Sequence, residues 1–454
     1  MNRIAGRAGI TVIIAILLLI GFGFFLAEYF MHADSWAVFP GSPHIYNGSN
    51  IGCGVTTDRD GVLLLDLRGD RTYAPEEKLR SATVHWVGDR SGSISAPALS
   101  HHAAALAGYD LLSGLYSYGH SGGTAQLTLS ARLQLAAQEA MKGYKGTVAI
   151  YNYKTGELLC AVTTPNYDPD NAPVVDENNP GEYEGLYVNR FTQSVYIPGS
   201  IFKIVTLAAA LEHLPDAQAL TFDCEGSCMI GGEAITCESK HGKQTLKEAF
   251  CNSCNCAFGQ LVEQIGKGNL QRYVEQFEVT EAVHFDGITT AAGTFEGGAA
   301  SIHSAAWSGI GQYTDQVNPC AFLRFVGAIA GGGKGAEPYL VGSIKVDGSK
   351  TYSAKTQVGN RIMSESTART VGEYMRNNVQ TKYGDEHFPG LAVCAKTGTG
   401  EVGGGKKPNA MLAGFVEDEQ YPLAFFVAVE EGGYGAKTCM PVISRILEAW
   451  KDGN

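Results

Sequence analysis

The sequence predicts an α+β fold, in which helices flank a five-stranded antiparallel sheet and a mostly helical insert separates its two groups of strands. Two runs of strand character lie before residue 165, and three more lie after residue 390. Strands and helices do not alternate one by one, so a parallel βαβ sheet is not expected. The five strands are predicted near residues 146–152, 157–164, 391–399, 410–417 and 422–430.

The helices are predicted from apolar residues that repeat at helical spacing. One helix near residues 131–142 precedes the first strands, and an amphipathic helix near 441–451 follows the last strand. These two terminal helices are expected to pack on one face of the sheet. The insert contains further helical patterns at 201–213 and 245–263.

An uncharged run near the N-terminus predicts a membrane-spanning helix. Residues 8–27 are twenty positions without charge, dominated by Ile, Leu, Phe, Ala and Gly. Such a run is long enough to cross a bilayer core of about 30 Å. Arg3 and Arg7 precede the run, and acidic residues follow it, so the positive-inside rule places the N-terminus in the cytoplasm.

We therefore expect a cytoplasmic tail at residues 1–7 and a single-pass signal anchor at 8–28, with the remaining chain outside the cell membrane. A cleaved signal peptide is the competing interpretation. The anchor is favoured because the apolar run is longer than the usual hydrophobic region of a signal peptide. In addition, no clear A-x-A cleavage site follows it.

Composition excludes several functional classes. With 454 residues, of which 44% are hydrophobic, the chain can form more than one domain. The net charge of −12 and the lack of a basic stripe argue against nucleic-acid binding. No cofactor is expected. The glycine-rich segment 327–335 is a poor match to a phosphate loop, because Lys334 is followed by glycine and not by serine or threonine.

A serine and a lysine one helical turn apart, Ser200 and Lys203, form the first candidate motif. Pro198 and Gly199 predict a turn, so Ser200 lies at a helix start, where free N–H groups and the helix dipole favour negative charge. The spacing puts both side chains on one helix face. A neutral Lys203 could accept the serine proton if burial or a nearby cation lowers its pKa from about 10.4. An ordinary helix cap beside a solvated lysine is the alternative.

The second motif consists of Ser253 and Asn255, separated by one cysteine. The helical pattern before them ends near Phe250, so both residues are expected on the following loop. Their side chains could form hydrogen bonds around Lys203 and relay a proton to a leaving amine. A polar turn between two helices is the alternative, and it is the commoner meaning of such residues.

The third motif is Lys396-Thr397-Gly398-Thr399, on a strand predicted from the apolar run 391–395. Its lysine could be the cation that lowers the pKa of Lys203, and it could also anchor a substrate carboxylate. The two threonines would face the same side of the strand and line a cleft. The glycine would let a substrate backbone approach closely. The tripeptide alone proves little, because residues 154–156 repeat it in a predicted turn.

In this order and spacing, the three motifs resemble those of the penicillin-binding proteins, the D,D-transpeptidases that cross-link peptidoglycan. The resemblance implies that Ser200 is the nucleophile and that Lys203, Ser253 and Asn255 transfer protons. It implies that residues 396–399 bind substrate and that the N–H groups of Ser200 and Thr399 form an oxyanion hole. It covers roughly residues 123–452, and further matching segments are 123–134, 146–150, 154–159, 164–169, 189–190, 308–312 and 318–319.

The resemblance also implies a domain organisation and a set of ligands. The region before residue 123 is too short for a glycosyltransferase domain, which indicates a monofunctional, class B type. Residues 29–122 are then a non-catalytic module and residues 123–454 the transpeptidase domain. Peptidoglycan stem peptides would be the substrates, and β-lactams would bind covalently. The module is interpreted either as a spacer or as a docking site for cell-wall synthesis or division proteins.

Two other functions use the same residues. A β-lactamase or D,D-carboxypeptidase would transfer the acyl group to water, but the anchor, the module and the 142-residue gap between Ser253 and Lys396 argue against it. A β-lactam sensor or scaffold would be acylated without turnover. A sensor would be expected to carry a cytoplasmic signalling region, whereas about seven residues precede the anchor.

Eleven cysteines are many for an exported enzyme, and the odd count leaves at least one unpaired if all pairing is internal. A zinc site from Cys224, Cys228, Cys237 and His241 has tolerable spacing. A disulfide between Cys224 and Cys237 is preferred outside the membrane, so no metal is expected. Cys254, inside the second motif, is interpreted as a packing residue, because no activating histidine is placed beside it.

Overall fold

A five-stranded antiparallel sheet forms the centre of the C-terminal region and confirms the predicted fold class. The structure is a computed structural model that describes residues 2–42, 45–112, 114–115, 122–175, 180–388 and 390–453. Both faces of this central sheet are covered, which explains why its strands are nearly continuous apolar runs. Across the sheet, the strand order is Val393–Gly400, Asn409–Val416, Leu423–Val429, Gly146–Asn152 and Leu158–Thr164.

Two terminal helices cover one face of the central sheet, as predicted. Ala131–Ala140 and Gly435–Lys451 pack against each other and against the strands. The second helix begins six residues earlier than predicted, because Pro441 lies inside it and does not start it. Pro441 is exposed, and the turn before it is held by Cys439 and Met440, which are buried in the core of this face.

The mostly helical insert covers the other face. Pro319–Ala330 packs directly on the central sheet, with the rings of Phe322 and Phe426 5.9 Å apart. The helix predicted over 245–263 is in fact two helices, with the break at Ser253, whose φ of 57° is left-handed. The main helices of the insert are Lys203–His213, Leu246–Cys251, Asn255–Ile265, Lys267–Gln276, Ile302–Ile310 and Glu365–Asn378.

Capping side chains explain the break. Thr245 begins the first short helix with a capping box to Glu248. The Sγ atom of Cys254 accepts the N–H of Ala257 and begins the second helix. Asn255 is therefore the first residue of a helix and not a loop residue, which corrects the prediction for the second motif.

A second, six-stranded sheet lies in the N-terminal part of the structure. It combines three strands from before residue 122 with three from after it, so the sheet continues across the predicted domain boundary. Residues 116–121, just before that boundary, lie outside the described residues. Val55–Thr57 and Gly123–Leu127 pair in parallel, and the other pairs are antiparallel. The order is Ser349–Ser353, Val341–Val346, Gly123–Leu127, Val55–Thr57, Leu63–Asp66 and Thr72–Tyr73.

The helix Glu77–Val87 joins this region to the central sheet. The indole N–H of Trp86 donates to the carbonyl oxygen of Ala161 over 2.7 Å. Arg80 forms a bidentate ion pair with Asp168, and both N–O distances are 2.6 Å.

Short two-stranded hairpins complete the fold at Tyr46–Asn47 with Asn50–Ile51, Thr221–Cys224 with Gly242–Thr245, Ser227–Ile230 with Glu233–Thr236, and His284–Phe285 with Ile288–Thr289. The remaining short helices are Pro97–His101, Ala103–Leu106 and Arg190–Gln193.

The helix Asn2–Ala37 is the one helix among the described residues that is long and apolar enough to cross a membrane. Its 36 residues span about 54 Å, more than the roughly 30 Å of a bilayer core. The apolar side chains of its first two thirds are exposed. Near its end, Ala33 is buried and the Tyr29 hydroxyl donates to the carbonyl oxygen of Leu111 over 3.0 Å.

Candidate active site

Ser200 lies at the start of a helix and beside the edge strand of the central sheet. A tight turn, Gly199–Phe202, leads into the helix Lys203–His213. Gly199 has a φ of +55°, and a Cβ atom there would lie 2.3 Å from the carbonyl oxygen of Thr399. Glycine therefore permits the left-handed turn and the close approach of Ser200 to the third motif.

Lys203 is fully buried and contacts both of the first two motifs. Its Nζ lies 2.9 Å from the Oγ of Ser200 and 3.3 Å from the Oγ of Ser253. It donates to two groups that can only accept, the carbonyl oxygen of Ser253 at 2.9 Å and the Oδ1 of Asn255 at 2.8 Å. A neutral amine has two N–H groups and one lone pair, so its lone pair then faces the hydroxyls.

The left-handed backbone at Ser253 turns its side chain into the site. Its Oγ is shared by Lys203 and by Lys396, whose Nζ donates to it over 3.1 Å. A second hydrogen bond fixes the side-chain amide of Asn255, because its Nδ2 donates to the carbonyl oxygen of Thr236 over 3.0 Å. Ser200, Lys203, Ser253, Asn255 and Lys396 are thus joined in one hydrogen-bonded cluster.

The third motif lies on the edge strand Val393–Gly400, which pairs with another strand of the sheet along one side only. The N–H of Thr397 donates to the Tyr383 hydroxyl over 3.2 Å, away from the neighbouring strand. Thr399, two residues on, points the same way, and its carbonyl oxygen accepts the Nε2 of Gln312 over 3.1 Å. A Cβ atom on Gly398 would lie 2.8 Å from the carbonyl oxygen of Pro198. The chain's own nucleophile turn, rather than a ligand, therefore requires this glycine.

Burial changes the acidity of both lysines. The pKa of Lys203 is lowered to about 8, mainly because the charged form loses its hydration. The pKa of Lys396 is lowered well below its ordinary value by burial, and further by the positive charges of Lys203 and Lys382. The rings of Phe258 and Phe250 lie 5.8 and 5.9 Å from the two Nζ atoms.

Sequence reasoning missed Tyr383. Its hydroxyl hydrogen-bonds to both the N–H and the Oγ1 of Thr397, at 3.2 and 3.0 Å. Gln312 lies in the segment 308–312, which resembles the family, but the sequence does not predict its contact with Thr399. Tyr383 lies in the short segment Val379–Tyr383 after a helix, and no local pattern in the sequence distinguishes it from a core tyrosine.

The predicted disulfide is not present in the structure. Cys224 and Cys237 are both free thiols, which contradicts the expected pair. Instead of forming an isolated pair, their sulfur atoms lie in a cluster with the side chains of His241 and Cys254.

The arrangement defines a class of site. A serine hydroxyl at a helix start and a buried amine within hydrogen-bond reach, beside the edge strand of a sheet, can together perform acyl transfer through an acyl-enzyme. Comparison with known proteins gives the family. The sequence profile of the penicillin binding protein transpeptidase domain matches residues 146–448, and this chain belongs to that family.

Individual relatives are similar over most of their length. The peptidoglycan D,D-transpeptidase PbpA of Mycobacterium tuberculosis is 28% identical over 367 residues, which cover 73% of each chain. The structure of penicillin-binding protein A from the same species, as an imipenem acyl-enzyme complex, has a TM-score of 0.75 at 25% identity and covers 88% of this chain and 98% of that one. The D,D-transpeptidase domain from Eggerthella lenta has a TM-score of 0.76 at 26% identity, with 88% and 98% covered.

Proposed function

We propose that this protein is a membrane-anchored serine D,D-transpeptidase, which cross-links peptidoglycan stem peptides through an acyl-enzyme on Ser200. The observation that carries the proposal is the 2.9 Å contact between the Nζ of Lys203 and the Oγ of Ser200. Family membership and the names of the relatives support it. β-Lactams would acylate the same serine, and the mycobacterial relative forms an acyl-enzyme complex with the β-lactam imipenem.

Acylation begins when Lys203, in its neutral form, takes the proton of the Ser200 hydroxyl. The Oγ then attacks the carbonyl carbon of the penultimate D-Ala. The resulting oxyanion would be held by the N–H groups of Ser200 and Thr399. When the C–N bond breaks, the terminal D-Ala leaves and its amine takes the proton held by Lys203 through the hydroxyl of Ser253, which contacts both lysines.

The third motif would bind the C-terminal end of the stem peptide that acylates Ser200. Lys396 and the hydroxyls of Thr397 and Thr399 are suited to the terminal carboxylate of D-Ala-D-Ala. An amine of a neighbouring stem peptide then attacks the ester and gives up one proton to Lys203, and Lys203 passes that proton to the Ser200 oxygen as the ester C–O bond breaks. A new amide bond replaces the ester, so bonds and protons balance.

We propose the domain organisation and topology on the same basis. Residues 1–7 would be cytoplasmic and 8–28 the anchor. Residues 29–122 would form the non-catalytic module, and 123–454 the catalytic domain outside the membrane. The exposed apolar helix supports the anchor. The module could contact cell-wall synthesis or division proteins.

Labelling with fluorescent penicillin tests the function. The full chain in detergent should form one covalent adduct on Ser200 that persists for many minutes, and purified stem peptides should yield cross-linked dimers. Rapid release of penicilloate would instead indicate a β-lactamase. Release of D-Ala without dimers would indicate a carboxypeptidase, and a stable adduct without either product would indicate a sensor or scaffold.

A further inference from the structure

Four side chains behind the second motif form a compact cluster. The ligand atoms of Cys224, Cys237, His241 and Cys254 all lie within 4.8 Å of one another. The Sγ of Cys237 is 3.5 Å from the Nδ1 of His241 and 3.9 Å from the Sγ of Cys254. Around a tetrahedral zinc ion, two thiolate sulfurs lie about 3.8 Å apart, and a sulfur and a nitrogen about 3.5 Å apart. These two distances match that geometry, and the remaining pairs lie within 4.8 Å.

The four residues come from separate elements that meet at one point. Cys224 ends the strand Thr221–Cys224, and His241 directly precedes its partner strand. Cys237 follows the strand Glu233–Thr236 of the neighbouring hairpin, and Cys254 begins the helix Asn255–Ile265. Two of the thiols are buried and the other two groups are half-buried, as expected for a closed structural site.

Surrounding groups are placed to support bound metal. The N–H of Asn255 donates to the Sγ of Cys237 over 3.3 Å, and that of Ala257 donates to the Sγ of Cys254 over 3.4 Å. Such N–H groups stabilise thiolates. The Nε2 of His241 lies 3.1 Å from the Oγ of Ser239, which leaves the Nδ1 to face the cluster.

We propose that Cys224, Cys237, His241 and Cys254 bind one zinc ion in a tetrahedral site. On binding, the three thiols release their protons to solvent, and the neutral imidazole donates its Nδ1 lone pair. Three thiolates and an imidazole are ligands that zinc prefers in structural sites. The site replaces the disulfide and the metal-free state expected from sequence. It also differs from the ligand set considered there, because Cys254 takes the place of Cys228.

The metal would act as a positioning device for the active site. Cys254 lies between Ser253 and Asn255, whose oxygen atoms contact the Nζ of Lys203. A zinc ion would tie this short segment to both hairpins and fix the break between the two helices. This consequence rests on the proposed function, whereas the metal site itself does not.

Metal analysis of the full chain, purified in detergent and dialysed against metal-free buffer, tests the site. We expect one zinc ion per chain, lost in Cys237→Ser and in Cys254→Ser. Cys228→Ser is the matched control, because the Sγ of Cys228 instead donates to the carbonyl oxygen of Cys256 and lies outside the cluster. Absence of zinc, iron in its place, or a Cys224–Cys237 disulfide in the unreduced protein would overturn the proposal.

A second measurement does not depend on variants that lose a ligand. Cobalt(II) exchanged into the full chain should give the intense visible bands of a tetrahedral site and a thiolate charge-transfer band. His241→Cys keeps four ligands and should shift the bands, whereas Cys228→Ser should leave them unchanged. The weak spectrum of an octahedral ion, or bands that His241→Cys does not shift, would contradict the assigned ligands.

Removal of the metal separates the two claims. Treatment of the wild-type chain with a chelator should release zinc and slow acylation by penicillin at least tenfold. Added zinc should restore the zinc content and the acylation rate. If zinc is present but its removal leaves acylation unchanged, the positioning role is wrong. If zinc is absent and acylation is normal, the metal site fails while the proposed function stands.

Discussion

Lys203 and Lys396 donate hydrogen bonds to the same oxygen, the Oγ of Ser253, over 3.3 and 3.1 Å. Two ammonium groups this close repel each other in a buried site, so the charge of one disfavours the charge of the other. Lys203 has two further strong acceptors, whereas Lys396 has the carbonyl oxygen of Thr397. Lys396 is therefore the amine that loses its proton more easily before substrate binds, the reverse of the order expected from sequence.

A substrate carboxylate should reverse that order. Placed beside Lys396, it favours the charged form of that amine, and the new positive charge then lowers the pKa of Lys203. The base would thus become neutral when a correct substrate is bound. This coupling makes two predictions about how the acylation rate depends on pH and on the carboxylate.

The first prediction concerns pH. Lys203 accepts a proton only when neutral, so acylation by a β-lactam ester without a carboxylate should rise with pH through about 8, the pKa of Lys203. For the matching compound with a free carboxylate, the rise should lie at lower pH under saturating conditions. Lys203→Ala should remove the rise and slow acylation by roughly 10²-fold or more. Identical profiles for the two compounds would contradict the coupling.

The second prediction compares the lysines. Lys396→Ala should slow acylation less than Lys203→Ala, because it removes a carboxylate anchor and not the base. The loss should be larger for the carboxylate compound than for its ester. Lys154→Ala is the matched control, because it alters the other Lys-Thr-Gly tripeptide, whose lysine is exposed in a turn. Equal losses with both compounds would indicate that Lys396 does not contact the carboxylate.

The third prediction concerns the nucleophile. Ser200→Ala removes one half-buried hydroxyl, so the unfolding midpoint should change little while covalent labelling by penicillin is abolished. Ser353→Ala, at an exposed position on an edge strand, should label at the wild-type rate. Intact-mass measurement after incubation with penicillin distinguishes the two variants. Labelling of Ser200→Ala at the normal rate would assign the nucleophile to another residue.

The sequence predicted the central sheet well because its strands are covered on both faces. The strands predicted over 146–152, 391–399 and 422–430 each contain a run of consecutive apolar residues, and their ends lie within two residues of the ends of the observed strands. The second sheet was not predicted, because the strand 123–127 pairs on one side with a strand from residues 55–57 and on the other with a strand from residues 341–346. Local patterns carry no information about such distant partners.

In the candidate site, too, local sequence patterns do not reveal partners that are distant in the chain. Its motifs were found from short spacings, but the residues that complete it come from distant positions. Tyr383 reaches Thr397 through a segment without regular amphipathic pattern. Cys254 joins a cluster with Cys224 because two hairpins fold against a helix start, and a sequence window favoured the nearer Cys228. The expected partners Cys224 and Cys237 do lie together in the structure, but as free thiols beside His241 and Cys254.

The fourth prediction concerns the anchor. A chain that begins at Glu28 keeps Tyr29 and Ala33, which contact the folded part, and loses the exposed apolar stretch. It should be soluble without detergent and still bind penicillin, whereas the full chain should sediment with membranes. Removal of residues 1–37 is the comparison, and it should be less stable because the buried end of the helix is lost. Membrane binding by the chain that begins at Glu28 would place an attachment site elsewhere.

The fifth prediction concerns Tyr383. Tyr383→Phe leaves the N–H and Oγ1 of Thr397 without their partner, which should lower the free energy of unfolding by about 1–3 kcal/mol. Because Thr397 is proposed to bind the substrate carboxylate, acylation by the carboxylate compound should slow more than acylation by its ester. Tyr434→Phe, at a largely exposed position, is the control. A variant that loses stability but keeps the ratio of the two rates would restrict Tyr383 to a structural role.

The sixth prediction concerns the ion pair that joins the N-terminal region to the central sheet. Arg80 holds the pKa of Asp168 at about 2, chiefly through its two hydrogen bonds, below the ordinary value of about 3.9. A lowered carboxyl pKa stabilises the folded state above the ordinary pKa, and this stabilisation is lost as pH falls from about 4 to about 2. The shift corresponds to about 2 kcal/mol.

Asp168→Asn should therefore lower the free energy of unfolding by about 2 kcal/mol at pH 7, and the difference from wild type should vanish near pH 2. Denaturant unfolding of both chains at pH 7, at about pH 4 and at about pH 2 measures it. Asp70→Asn, at an exposed position outside this ion pair, is the control and should match wild type at each pH. A constant difference across the pH range would mean that the carboxylate stabilises the fold by shape and hydrogen bonding, because a contribution from its charge must disappear once the side chain is protonated.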